Sequence, residues 1–340
     1  MAPGMRVSFR QLRTSRRIRP RQLCATSRDE VTVMSMFEPS RMYRYVRARQ
    51  LEGSFPGDHR TGAHIVSAMR IARGWGVPSE KEWPYDGAAA HWPPQEPADI
   101  DVAAKKNRIC AYQRVRTLDE LKNALTQQHR VQINVPITDE WYTTPNGKIE
   151  MPKPDTTRAE SHSVHVVGFD DAQGCLTIEN SWGSAWGDKG FGYIPQRYFE
   201  KFQTEAWTMA PDPLPSSQKS GIYTRAWGLP DLFSKTPLVG LEVVDGTKDE
   251  CVGWAFLVAR QGYADIEELF VKPSYRGKRY GSELVRMIKE RPELKQLPLR
   301  LWISHADALM VKSEPVRRIV SKLGLSVNPS VRRWAPFVGM

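Results

Sequence analysis

Residues 161–194 read SHSVHVVGFDDAQGCLTIENSWGSAWGDKGFGYI. Two short β-rich runs, Val164–Phe169 and Cys175–Asn180, place a histidine and an asparagine eighteen residues apart on neighbouring strands. Ser-Trp-Gly then follows the asparagine, and further glycines let backbone come close. This pattern suits a hydrogen-bonded His162–Asn180 pair. In Cys/His catalysis the imidazole takes the thiol proton and stabilises the thiolate, and a third polar group fixes the ring tautomer. An asparagine amide oxygen does this without adding a charge. An adjacent indole, Trp182, would shield the bond from water, where it is stronger. His165 falls on the opposite strand face from His162 and reads as structural.

The rest of the chain gives this stretch a setting. Its 340 residues suffice for two domains. Pro39–Leu51 and Ala63–Arg73 carry apolar residues at helical spacing, and Leu118–Gln127 reads as a third helix with Thr117 and Glu120 as a capping box. Strands are expected at Val131–Ile137, at the two runs above and at Gly192–Ile194. The Pro- and Ser-rich residues 209–221, MAPDPLPSSQKSG, read as a linker. Beyond it come strands at Leu238–Val244, Val252–Ala259 and Ile266–Val271, a helix at Tyr280–Glu290, a strand at Leu299–Ile303 and a helix at Val316–Leu323.

His162-Ser-Val-His-Val-Val-Gly-Phe and Asn180-Ser-Trp-Gly-Ser-Ala-Trp-Gly-Asp-Lys-Gly-Phe-Gly-Tyr-Ile resemble the His and Asn blocks of papain-like cysteine peptidases. Trp83-Pro-Tyr-Asp and the Thr117-Leu-Asp-Glu-Leu-Lys-Asn-Ala-Leu helix are similar to other segments of that family. The resemblance covers residues 24–208. It implies a helical lobe beside a β-barrel lobe, a protein or peptide substrate, and catalytic roles for Cys24, His162, Asn180 and Trp182. The family places a Gln six residues before its Cys, at the start of a long helix. Here Ile18 holds that position, Gln22 is two residues before, and fifteen residues separate Cys24 from Pro39. Cys24 is therefore either a nucleophile on a shortened scaffold or a bystander. Cys110, Cys175 and Cys251 read as small buried thiols, and no Cys/His spacing suits a metal.

Residues 266–282, IEELFVKPSYRGKRYGS, run from a strand through a basic Gly-containing turn into a helix. Backbone N–H groups at such a helix start cradle phosphate. With the later helix, this set is similar to the GNAT N-acetyltransferases. The resemblance implies acetyl-CoA as cofactor, the Val271 backbone against the pantetheine arm, and the phosphates on Arg276, Gly277, Lys278, Arg279, Tyr280, Gly281 and Ser282. The family loop's middle Gly is Arg279 here, and the Tyr that can protonate the leaving thiolate is Val320. Glu267 or Glu268 could serve as a base, or either could be an ordinary strand glutamate.

The expected fold is α+β. A basic arm (1–23) precedes a papain-like two-lobed domain (24–208), the linker (209–221) and a GNAT-like mixed α/β domain (222–340). The expected function is a bifunctional cysteine-type peptide-bond hydrolase and N-acetyltransferase. The alternative is an inactive papain-like binding module on an active acetyltransferase. Net charge is +11, of which residues 1–28 carry +8 through eight Arg and no acid. That arm reads as a solvated tail, a nucleic-acid or acidic-partner arm, an organellar presequence, or a start that is not the natural one. With no apolar run near the roughly 18 residues of a membrane span, the expectation is a cytoplasmic protein without membrane partners.

Overall fold

The computed structural model describes residues 37–294, 297–301, 318 and 321–324, apart from 60, 86–90, 128, 154–159, 204, 211–218 and 231–236. The basic arm, Cys24 and half of the helix expected at 316–323 lie outside the described residues.

Two helices open the described chain. α1 (Arg41–Glu52) starts at Ser40, whose Oγ accepts the Tyr43 N–H at 3.0 Å and donates to the Trp83 carbonyl at 2.6 Å. Gly53 ends it in the left-handed conformation at φ 74°. Every residue of α2 (Ile65–Gly74) is buried, so protein surrounds this helix. Its arginines, Arg70 and Arg73, must therefore find partners inside the molecule.

Then come α3 (Ile100–Lys105), β1 (Ala111–Arg114), α4 (Leu118–Thr126), β2 (Val131–Ile137), β3 (Glu160–Asp170), β4 (Cys175–Glu179), β5 (Phe191–Pro195), α5 (Gln196–Phe202) and β6 (Glu205–Ala210). Thr117 caps α4 as expected, accepting the Glu120 N–H at 3.1 Å. The Glu120 carboxylate reaches past the cap residue to the Arg116 N–H at 2.7 Å. The strands form a six-stranded antiparallel sheet in the order β1-β6-β2-β3-β4-β5. His162 pairs with Val135 and Val164 with Ile133, while Ser163 and His165 point to the other face with Asn134 and Gln132.

Met209 and Ala210, expected in the linker, end β6. A second sheet follows, built from β7 (Ile222–Pro230), β8 (Pro237–Asp245), β9 (Glu250–Arg260), β10 (Tyr263–Val271) and β11 (Leu299–Leu301), with α6 (Tyr280–Glu290) between the last two. Its order is β11-β10-β9-β8-β7; β10 and β11 are parallel and the other pairs antiparallel. One face is aliphatic. Leu241, Val243, Ala255, Leu257 and Ile266 pack there on Leu284, Val285 and Ile288 of α6.

The other face is aromatic and acidic, and it lies against α2 and β1. Trp254, Phe256 and Phe270 join a single apolar core with Ile71, Ala72, Tyr112 and the first sheet. The Tyr112 and Phe256 rings meet edge-on at 5.2 Å. Three arginines from the first part meet three glutamates from the second. Arg70 forks onto Glu268 with two bonds of 3.0 Å, and Tyr112 donates to the same carboxylate at 2.8 Å. Arg116 holds Glu267 at 2.6 and 3.1 Å. Arg73 bonds Glu242, with both side chains 0% exposed, and Arg225 takes the other oxygen. Burial pushes the Glu242 carboxyl up, but Arg73 and Arg225 outweigh it and hold it below the usual carboxylate range. Gly74 is needed at this seam, because a Cβ there would lie 2.9 Å from the Trp254 ring.

Removing one partner of a buried pair leaves an uncompensated charge and costs about 3–5 kcal/mol. Arg70→Met is expected to lower the unfolding free energy by about that much in denaturant titrations, and adding Glu268→Gln is expected to restore part of it. A loss under about 1 kcal/mol for Arg70→Met would contradict the pairing.

Candidate active site

His162 lies near the start of β3 and is buried, 4% exposed as a residue. Asn180, directly after β4, approaches it so that His162 Nε2 and Asn180 Oδ1 are 2.8 Å apart. The same oxygen accepts the Ser181 N–H at 2.7 Å. An amide oxygen held by a backbone donor cannot be exchanged for the amide nitrogen, so Oδ1 must face the ring. The neutral imidazole therefore carries its proton on Nε2, and the Nδ1 lone pair is the basic one. Burial pulls the His162 pKa below the usual value, and the Asn180 bond pulls the other way.

Rings enclose this pair. Trp182 tilts over His162 at 4.9 Å between centroids, and Trp141 meets it edge-on at 6.4 Å. Trp141 is completely buried and donates to the Tyr198 hydroxyl at 3.2 Å, which donates to the Pro136 carbonyl at 2.7 Å. Trp186 donates to the Trp141 carbonyl at 2.6 Å. The structure thus brings His162, Asn180 and Trp182 together as the sequence suggests. Sequence reasoning missed Trp141 and Tyr142. The DEWY segment that carries them follows β2 and was visible only as an aromatic pair in a polar loop.

Two other buried groups have structural work. His165 is buried on the opposite face, as expected, and its Nδ1 has no hydrogen-bond partner among the described residues. Burial first, and then Arg44 and Arg130, lower its pKa to about 3. Glu205 of β6 accepts the Ile65 N–H at 3.0 Å and lies 3.6 Å from His64, so it caps α2 from across the lobes. Among the remaining cysteines, Cys110 and Cys251 are buried as expected, while Cys175 is half-buried.

In the second sheet, β10 ends at Val271 and a short 3-10 turn, Pro273–Tyr275, leads to the basic loop. Gly277 takes φ 78° and Arg279 φ 66°, so left-handed residues alternate before α6 and turn backbone N–H groups into a concavity. A Cβ at Gly277 would meet nothing within 4 Å, so backbone conformation and not crowding calls for glycine there. Arg279 occupies a conformation that a glycine adopts without strain, at a cost of about 1–2 kcal/mol. The loop is rooted by Lys272, which pairs with Glu250 at 2.8 Å and lies 4.4 Å over the Trp75 ring beside α2. Arg276 Nε donates to the Val271 carbonyl at 3.1 Å, so the backbone oxygen expected to meet pantetheine already has a donor. Glu267 and Glu268, weighed as bases, are instead bonded to Arg116, Arg70 and Tyr112.

The sequence model of the papain family cysteine proteases matches residues 58–210. The chain carries a papain-family cysteine protease domain. The model of the acetyltransferase (GNAT) family matches residues 199–308, overlapping the first match through β6 of the first sheet. An uncharacterized peptidase C1-like protein of Acanthamoeba polyphaga mimivirus is 28% identical over 185 residues, which are 50% of this chain and 58% of that protein. Peptidase 1 of Euroglyphus maynei is 32% identical over 80 residues, 22% of this chain and 25% of that protein. The chain thus spans little more than half of the viral relative and a quarter of the mite one. Among solved structures, xylellain, a cysteine protease from Xylella fastidiosa, is 27% identical with a TM-score of 0.48, over 52% of this chain and 71% of that one. The bromelain protease from Ananas comosus is 17% identical with a TM-score of 0.37, over 48% and 77%. No helix among the described residues is long and apolar enough to cross a membrane.

His165 makes the fold acid-sensitive. The unfolded chain takes up a proton on this side chain as pH falls through about 6.5, while the folded chain takes none until about 3. Its contribution is fully present above the higher value and is lost toward the lower one, amounting to about 5 kcal/mol in total. Unfolding free energies measured between these limits are expected to fall by about 1.4 kcal/mol per pH unit more in the wild type than in His165→Gln. Equal slopes would contradict a neutral buried His165.

Proposed function

We propose that the papain-family domain hydrolyses peptide or isopeptide bonds through a Cys24 thiolate, with His162 as the base. The observation that carries this reading is the buried His162–Asn180 bond, which leaves Nδ1 as the free basic nitrogen under an indole cover. Cys24 lies outside the described residues and enters on its sequence position alone. In the proposed reaction its thiol proton passes to His162 Nδ1, and the sulfur attacks the substrate carbonyl carbon. The imidazolium then returns the proton to the departing amine. Water, deprotonated by the same nitrogen, hydrolyses the thioester and releases the thiol. Asn180 holds the ring throughout, and Trp182 keeps water from that bond.

For the second sheet the proposal is transfer of an acetyl group from acetyl-CoA to an amine. The residues fit such a ligand: the alternating left-handed loop and the start of α6 offer N–H groups to phosphates, and Arg276, Lys278 and Arg279 supply positive charge. The bound cofactor would supply an activated thioester. With Glu267 and Glu268 committed to arginines, the acceptor amine would lose its proton to water. One economical link between the halves is that cleavage frees an α-amine for acetylation. A second reading treats the papain-family part as a non-cleaving module that presents a protein to the transferase. The family's Gln six residues before its Cys, which is Ile18 here, favours it.

An epoxide inhibitor of cysteine peptidases is expected to label the full chain once, at Cys24, and to lose labelling in Cys24→Ala and His162→Ala. An unlabelled wild type would favour the binding module. Equilibrium binding of CoA is expected to weaken at least tenfold when Arg276 and Lys278 are both changed to Ala; unaltered affinity would remove the loop from the proposal.

A further inference from the structure

Trp182 covers the His162–Asn180 bond, yet little holds Trp182 itself. It sits on the loop after β4, flanked by Gly183 at φ 92°. Its side chain makes no hydrogen bond among the described residues; three rings position it. His162 lies below and Trp186 touches its edge at 5.7 Å. The third ring is Tyr142, stacked on the indole at 5.0 Å and 3° from parallel. Tyr142 is 40% exposed, so core packing alone does not demand an aromatic side chain there.

The backbone delivers Tyr142 with little freedom. It ends the 3-10 turn Asp139–Trp141, whose Trp141 forms the other wall around His162. Downstream, Ile149 N–H donates to the Tyr193 carbonyl at 2.9 Å, and Gly147 packs on the Phe191 carbonyl and Gly187. The segment bearing Tyr142 and the loop bearing Trp182 are therefore tied to the same strand, β5. One turn supplies both the fixed wall, Trp141, and the outer leaf, Tyr142.

We propose that Tyr142 is a positioning residue, whose ring clamps the Trp182 indole over the His162–Asn180 hydrogen bond and keeps water out of it. The inference rests on the peptidase reading of this site, but its structural content does not require turnover. With a small side chain at 142 the indole would lose its stacked cover, and among the described residues its ring contacts would be those with His162 and Trp186. Offset stacking of this kind is worth about 0.5–1.5 kcal/mol beyond the area it covers. No charged side chain enters the titration of His162 among the described residues: Asp139 and Glu140 on the same turn are exposed, and Glu179 before Asn180 pairs with Arg130. The cover acts on water access and not on charge.

The test follows the Nε2 proton of His162 by NMR in the full chain, assigned by its loss in His162→Ala. The wild type and Tyr142→Phe should show a protected resonance with similar solvent exchange. Tyr142→Ala should exchange at least tenfold faster, and its His162 titration should move up toward the ordinary histidine value. Exchange in Tyr142→Ala within twofold of wild type would overturn the proposal, as would an unprotected proton in the wild type. Epoxide labelling of the same three proteins separates the two readings. If the wild type does not label yet the exchange contrast appears, the peptidase reading fails and the clamp stands. If the wild type labels and the contrast is absent, the clamp fails alone.

Discussion

Helix α2 is buried along its whole length, and its two arginines are neutralised by glutamates of another sheet. That constraint organises the molecule. Buried guanidinium groups without partners would cost more than a marginally stable fold can offset. The first sheet and its helices therefore need the second sheet to close their core. The need is mutual, because Trp254, Phe256 and Phe270 would otherwise face water. Where the second sheet meets α2 and β1, the contact is buried core. Two of these pairs, Arg70–Glu268 and Arg116–Glu267, are two-point forks and Arg73–Glu242 is a single bond, so the contacts orient the second sheet on α2 as well as neutralising charge.

The same helix links the two candidate sites in space. Its first turn is held by Glu205, whose strand neighbour Asn134 pairs with Ser163, the residue after His162. Beyond its last turn, Trp75 lies under Lys272, which roots the basic loop. Each site borrows its rigidity from the common core. The His162–Asn180 pair is held by rings and by a backbone-locked amide, and the loop by a partly buried Lys–Glu–Tyr cluster.

Much of this was legible in the sequence where chemistry and periodicity coincide. β2 falls on Val131–Ile137 and α6 on Tyr280–Glu290, both as the spacing predicts. The His162–Asn180 geometry follows from two strands and a spacing of eighteen. The missed elements break the rules that make strands visible. β7 turns Arg225 inward to meet Glu242 and leaves Ile222 exposed, so its alternation is scrambled. β1 is four residues long and buries Gln113 completely. Glu267 and Glu268 looked like solvent-facing or catalytic acids because their partners lie some 150 to 200 positions earlier in the chain. No local pattern encodes a pairing of that span. Tyr142 was hidden for the same reason, since its importance comes from a ring forty residues away.

Hydrogen exchange followed by mass spectrometry under native conditions tests the central claim most directly, that the two sheets are one cooperative body. The account predicts that the most protected amides of α2 and β2 and those of β9 and β10 open with the same free energy and respond alike to added denaturant. Two separate opening energies, with the second sheet exchanging while α2 stays protected, would contradict it.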